Sequence, residues 1–150
     1  MREMRAFDLT GRTALITGGG SGIGKGCAKI LADAGANVFV IGRRESKLQE
    51  VCEEIQGQDG ICDYYAADLS REENCEAMVQ ACVKRFGRLD ILINSAGSRG
   101  AHGTLEEEFS AENLRDVMDV DFNSTFWAIK YAYPGCQTDG VGSIINIASL

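Results

Sequence analysis

The 150 residues carry a formal charge of −7, with 45% apolar and 25% charged side chains, a globular balance that excludes wholesale disorder. The acidic excess, densest at Glu106-Glu107-Glu108, disfavours nucleic acid as a partner, because neutralising phosphates needs a basic face. The longest apolar runs, at residues 14–17 and 144–147, are far too short to cross a bilayer, and no signal-like stretch follows Met1; the expectation is a cytoplasmic protein with no membrane partner.

Residues 12–17 form a short apolar run that ends at Gly18 and reads as a buried strand. From Ile23 the apolar positions are Ile23, Cys27, Ile30, Leu31 and Ala34, a helical stripe that Gly35 closes. Residues 37–41 read as a second buried strand, and Leu48, Val51, Cys52 and Ile55 as the core face of a second helix ending near Gly57. Residues 61–67 are a third, weaker strand. Cys75, Met78, Val79, Cys82, Val83 and Phe86 mark a third helix stopped at Gly87, and residues 90–94 a fourth strand. A glycine-containing loop, 95–104, follows; within it Arg99 and His102 border any site there, His102 as a loop residue rather than a catalyst. Ser110 caps a long fourth helix to about Tyr133, ended by Pro134-Gly135, with Leu114, Val117, Met118, Phe122, Thr125, Phe126 and Ile129 on its core side. Residues 142–148 form a fifth strand.

Strict alternation of continuous apolar strands with amphipathic helices predicts a parallel sheet covered on both faces. The expected fold class is α/β, a Rossmann-type doubly wound sheet in three layers with about five strands, and residues 1–150 form one domain. The six cysteines, Cys27, Cys52, Cys62, Cys75, Cys82 and Cys136, include no C-x-x-C pair, and His102 is the single histidine; no metal site is expected. The cysteines read as reduced structural thiols.

Eighteen glycines stand against one proline, and they cluster in Thr17-Gly18-Gly19-Gly20-Ser21-Gly22-Ile23-Gly24-Lys25-Gly26. The spacing G-x-G-x-x-G fails there. The phosphate loop G-x-x-x-x-G-K-[ST] fits from Gly19 to Lys25 but fails at Gly26, where a hydroxyl should hold Mg²⁺. The pattern T-G-x-x-x-G-x-G fits completely, through Thr17, Gly18, Gly22 and Gly24. It lies between a strand and a helix, where Gly18 permits a sharp exit, Gly22 lets backbone approach a pyrophosphate, and Gly24 lets the helix lie close to the sheet. That context disfavours the plainer reading of a flexible turn.

The sequence resembles the short-chain dehydrogenases/reductases. The glycine loop resembles that family's cofactor loop, Asn94-Ser95-Ala96-Gly97 its motif after the fourth strand, Asp68-Leu69 its adenine-contacting pair, and residues 142–149 its fifth strand and catalytic serine. The resemblance implies a nicotinamide cofactor held by Gly18, Ser21, Gly22, Ile23, Gly24, Asp68, Leu69, Asn94, Ala96 and Gly97, with Ser149 hydrogen-bonding the substrate. It also implies a small-molecule carbonyl or alcohol substrate and a homo-oligomer at full length. The second strand ends in Gly42-Arg43-Arg44, with no carboxylate for a ribose 2′-hydroxyl. Two guanidinium groups suit a 2′-phosphate instead, which predicts NADP(H), with NAD(H) as the alternative. The same pair disfavours a methyltransferase.

Asp121 falls inside the apolar stripe of the fourth helix, and a buried carboxylate is costly unless partnered; it is therefore partnered or functional. The family normally places Asn there, holding a proton-relay water. Asn123 should face away from it. The family's acid/base Tyr belongs to Y-x-x-x-K, but Tyr64, Tyr65, Tyr131 and Tyr133 are followed at that spacing by Asp68, Leu69, Gly135 and Gln137. The reading is therefore the N-terminal, NADP(H)-binding part of a dehydrogenase/reductase, truncated after its fifth strand and leaving residues 144–147 near a sheet edge. The alternatives are a non-catalytic NADP(H)-binding fragment and an inert truncation product.

Overall fold

The computed structural model describes residues 7–98 and 110–148. The elements follow one another as β1 (Thr13–Thr17), α1 (Gly22–Asp33), β2 (Asn37–Gly42), α2 (Glu45–Gln56), β3 (Ile61–Ala66), α3 (Glu72–Phe86) and β4 (Ile91–Asn94). Then come α4 (Ala111–Val117), a π-helical segment (Met118–Asn123), α5 (Ser124–Cys136) and β5 (Ser143–Asn146). The strands form one sheet in the order β3-β2-β1-β4-β5, and every pairing is parallel.

Alternate residues of the central strands feed two cores. Ala14, Ile16, Val38 and Val40 pack with Ala28, Leu48 and Val51 on one face, while Leu15, Phe39, Ile41 and Leu92 pack with Met78, Cys82 and Ala132 on the other. All five residues of β1 are buried, and its middle, Ala14-Leu15-Ile16, is continuously apolar rather than alternating. The strand order reverses at β1, with β2 and β3 laid down on one side and β4 and β5 on the other, and the crossovers therefore part between β1 and β4, opening a crevice beyond their carboxyl ends.

Two helices turn a different face to the core than their large side chains suggest. On α1 the buried residues are Gly24, Ala28 and Ala32, while Ile23 and Ile30 are 62% and 63% exposed. A Cβ on Gly24 would collide with the Gly18 carbonyl, so the helix approaches the chain too closely for large residues to fill the seam. Along α5 the buried residues are Ser124, Ala128, Ala132 and Cys136, whereas Leu114, Met118, Phe122 and Phe126 lie exposed. The fourth helix also does not stop at Pro134-Gly135 but continues to Cys136. Pro134 stands in its last turn, where the loss of one N–H bond disturbs only the helix end. Strand β5 is shorter than 142–148 and lies at the sheet edge, with Ile145 and Ile147 exposed.

The amino ends of the strands are locked by charge. The Asp90 carboxylate, almost fully buried, accepts from the Thr13 N–H at 2.8 Å, Arg12 Nη1 at 3.0 Å and Arg88 Nε at 2.8 Å. Asp139 accepts from the same two arginines at 2.7 and 3.0 Å. β1, β4 and the turn before β5 are thereby joined.

Candidate functional site

The carboxyl ends of the strands border a cleft of about 860 Å³. The glycine loop forms its floor. Gly18 has φ +65°, and a Cβ there would come within 2.7 Å of the Ser95 carbonyl oxygen; only glycine lets β1 turn out beneath the next loop. Gly22 has φ +53°, with nothing within 4 Å of an added Cβ, so its backbone faces open space. Ser21 occupies the position before α1 without its hydroxyl capping the helix. The first-turn amides of α1 therefore have no side-chain cap, a geometry suited to an anion.

Thr17 fastens this floor to the neighbouring loop. Its Oγ1 accepts from both the Ser95 and Ala96 N–H groups at 3.1 Å. On the β2 side stand Arg43 and Arg44, both exposed. Arg12, Arg71, Arg85 and Arg88 each hold a carboxylate, but the side chains of Arg43 and Arg44 have no ion-pair partner among the described residues. Lys25 is turned away from the cleft and pairs with Glu54 at 2.7 Å. Asp68 lines the same end. The Ser70 N–H, at 3.1 Å from its Oδ1, with Arg43 and Arg71 nearby, holds its carboxyl below the usual range.

Of the residues singled out from the sequence, Gly18, Ser21, Gly22, Ile23, Arg43, Arg44, Asp68, Leu69, Ala96, Gly97 and Asp121 line the cleft together. Gly24 and Asn94 do not. Gly24 is packed beneath the loop. Asn94 is buried, its Nδ2 donates to Asn146 Oδ1 at 2.9 Å, and its own Oδ1 has no partner among the described residues. Ser149, Arg99 and His102 lie outside the described residues.

Asp121 is not the buried carboxylate the helical stripe suggested: it is exposed. It sits in the π-helical segment, which shifts the residues around it off regular helical spacing. Its Oδ1 accepts from the Ser98 N–H at 2.6 Å, so it tethers the loop after β4 to the helix. Asn123 donates to Asp119 at 2.8 Å instead. Reading the sequence missed three contributors: the Thr17 hydroxyl as a double acceptor, the Asn94–Asn146 pair, and Phe122 and Thr125 on the cleft wall. All three arise from contacts distant in sequence, which local spacing does not show.

The family model described as short chain dehydrogenase matches residues 12–150. The chain belongs to the short-chain dehydrogenase family. It is 35% identical over 150 residues to cyclohexanol dehydrogenase of Acinetobacter sp. (strain SE19), covering all of this chain and 59% of that protein. A metagenomic short-chain oxidoreductase crystallised with NADP superposes with a TM-score of 0.89 at 30% identity, over 95% of this chain and 64% of that one. A 7α-hydroxysteroid dehydrogenase complexed with NADH and 7-oxo glycochenodeoxycholic acid gives 0.90 at 30% identity, over 99% of this chain and 57% of that one. The chain thus spans between half and two thirds of the length of these family members. The Rossmann-type sheet and the nucleotide-binding crevice are common ground. The neighbours carry NADP in one case and NADH in the other. No helix among the described residues is long and apolar enough to cross a membrane.

Proposed function

We propose that this chain is the cofactor-binding part of an NADP(H)-dependent oxidoreductase that moves hydride between nicotinamide and a small carbonyl or alcohol substrate. The observation that carries the cofactor preference is the pair Arg43 and Arg44, both lining the cleft and neither in an ion pair among the described residues. An unpaired guanidinium at the end of β2 suits a 2′-phosphate, whereas a ribose hydroxyl calls for a carboxylate acceptor there. The phosphate cradle fits as well: Gly22 leaves open space and the start of α1 has no side-chain cap.

When bound, the cofactor supplies or accepts the hydride. The chain's own residues do the remaining work. The backbone amides at the start of α1 would hold the pyrophosphate, Arg43 and Arg44 the 2′-phosphate, and Asp68 would contact the adenine. Asp121 keeps the loop 95–98 in place through Ser98. Ser149 hydrogen-bonds the substrate oxygen. A non-catalytic NADP(H)-binding role is the second reading, which NADPH binding without turnover would favour. A cytoplasmic setting and a homo-oligomeric full-length form belong to the same proposal.

The test is a titration of the chain with NADPH and NADH, followed by nicotinamide fluorescence, on wild type, Arg43→Ala and Arg44→Ala. A charge-assisted contact to phosphate is worth about 1.5–3 kcal/mol, so at least one variant should weaken NADPH binding roughly ten-fold or more and leave NADH nearly unchanged. Equal affinity of wild type for both cofactors would overturn the preference. A folded chain that binds neither would overturn the site.

A further inference from the structure

Cys52 lies on α2 and Cys62 on β3, and their sulfurs stand 2.8 Å apart. Two thiols at rest keep a wider separation, and a disulfide closes to about 2.05 Å. Both residues are buried, at 5% and 3% exposure. No other pair of cysteine sulfurs among the described residues is in hydrogen-bonding contact. The chain between the two is short and fixed. Gly60 N–H donates to the Ile55 carbonyl at 3.0 Å, and Gln56 Nε2 donates to the Cys62 carbonyl at 2.9 Å. Asp59, with φ 63°, is the one non-glycine residue at positive φ among those described. A Cβ on Gly60 would come within 2.6 Å of Ile55 Cγ2, so the turn is tight and holds β3 under the end of α2. The proximity of the two sulfurs therefore rests on local geometry.

We propose that Cys52 and Cys62 form a redox modification site, closing to an intrachain disulfide that staples α2 to β3 when the protein meets a low-molecular-weight disulfide such as oxidised glutathione. One cysteine, as thiolate, attacks a sulfur of the small disulfide, and the other half leaves as a thiol. The second cysteine sulfur then displaces the attached half as a second thiol. Two protein S–H bonds are lost and one S–S bond is formed; the reagent's S–S bond is broken, and its two thiols carry away both protons and both electrons. Contact with Cys52, reinforced by burial, pushes the Cys62 thiol well up from its ordinary value. Attack therefore waits on local opening of the turn, and the reaction is slow although the neighbouring sulfur is already in place. The staple closes a loop of about ten residues, for which the loss of unfolded-state freedom raises Tm by roughly 5–10 °C.

The experiment incubates the folded chain with oxidised glutathione, unfolds it in an alkylating agent, and maps Cys52 and Cys62 by mass spectrometry. A parallel sample is melted with and without dithiothreitol. The expected result is one cross-linked species joining the two cysteines, two hydrogens lighter than the thiol form and resistant to alkylation at both, with a higher Tm that dithiothreitol reverses. Cys52→Ser should abolish both changes. Full alkylation of Cys52 and Cys62 after oxidation, separate glutathione adducts on them, pairing of either with another cysteine, or a cross-link that leaves Tm unchanged or lower would each overturn the proposal.

Discussion

Replacing Asp90 with Ala tests how the sheet is held at its amino ends. The side chain is 4% exposed and accepts from Arg12, Arg88 and the Thr13 N–H. Removing it leaves the Thr13 amide, inside a fully buried residue, without an acceptor, at about 1–3 kcal/mol. Breaking a buried pair at one partner costs about 3–5 kcal/mol. Here Arg12 and Arg88 are 27% and 42% exposed and keep Asp139, so the lower end applies. The expected loss is about 3 kcal/mol, or a Tm lower by roughly 6–12 °C for a chain of this size. Asp139→Ala should cost no more than about 1 kcal/mol, because Asp139 is 43% exposed and a surface pair is screened.

Acidity supplies a second handle on the same group. Burial alone would raise the Asp90 carboxyl, but hydrogen bonds from Arg88, the Thr13 N–H and Arg12 outweigh it and leave it below its ordinary value. A carboxylate lowered in the folded state stabilises fully above its unfolded value, near 3.9, and loses that contribution as pH falls through the folded one. The gap in stability between wild type and Asp90→Ala should be full at pH 6 and narrow below about pH 4. Urea melts followed by circular dichroism at several pH values measure it. An Asp90→Ala variant no weaker than Asp139→Ala, or a gap independent of pH, would refute the reasoning.

Gly24→Ala should lower stability by about 1–3 kcal/mol, since its Cβ meets the Gly18 carbonyl and forces α1 away from the loop; thermal melts and NADPH titration read both effects. Thr17→Val keeps the shape but removes the acceptor of two N–H groups. It should cost about 1–2 kcal/mol in urea melts and weaken cofactor binding. The reversed face of α1 predicts that Ile30→Ser changes stability by less than about 0.5 kcal/mol, while Ala28→Leu costs about 1–3 kcal/mol by overpacking. A larger loss for Ile30→Ser would restore the large-residue face.

The strand positions and the parallel sheet were legible because parallel strands buried on both faces read as unbroken apolar runs, as in residues 14–16 and 38–41. The core faces of α2 and α3 were legible as well, with Leu48, Val51, Cys52 and Ile55 and with Cys75, Met78, Val79 and Cys82 buried, but those of α1 and α5 were not. An apolar stripe weighted by Ile and Phe picks the side with the largest residues, yet close packing selects the smallest. The signal was present as small residues four apart, at Gly24, Ala28 and Ala32 and at Ser124, Ala128, Ala132 and Cys136. Asp121 was misplaced for the related reason that regular helical spacing was assumed through a segment that is π-helical. The glycine loop could be read because its geometry is local, with Gly18 and Gly22 required by the backbone itself. The clamp from Thr17 to Ser95 and Ala96 spans 78 and 79 positions, and no local pattern records it.

The two ends of the sheet divide stability from binding. At the amino ends, carboxylates and guanidiniums answer one another: Arg12, Arg88, Asp90 and Asp139 are all engaged. At the carboxyl ends, polar groups are left over. Among the described residues Arg43 and Arg44 form no ion pair, the first turn of α1 has no side-chain cap, and Gly22 faces open space. Such groups contribute little to the fold, because water satisfies them as well as a protein partner would. Their free capacity becomes useful when an anion with matching geometry displaces that water. An acidic chain of net charge −7 can therefore still bind a polyanionic cofactor. The decisive quantity is the local array of amides and guanidiniums at one crevice, which charges beyond a screening length of roughly 10 Å do not offset.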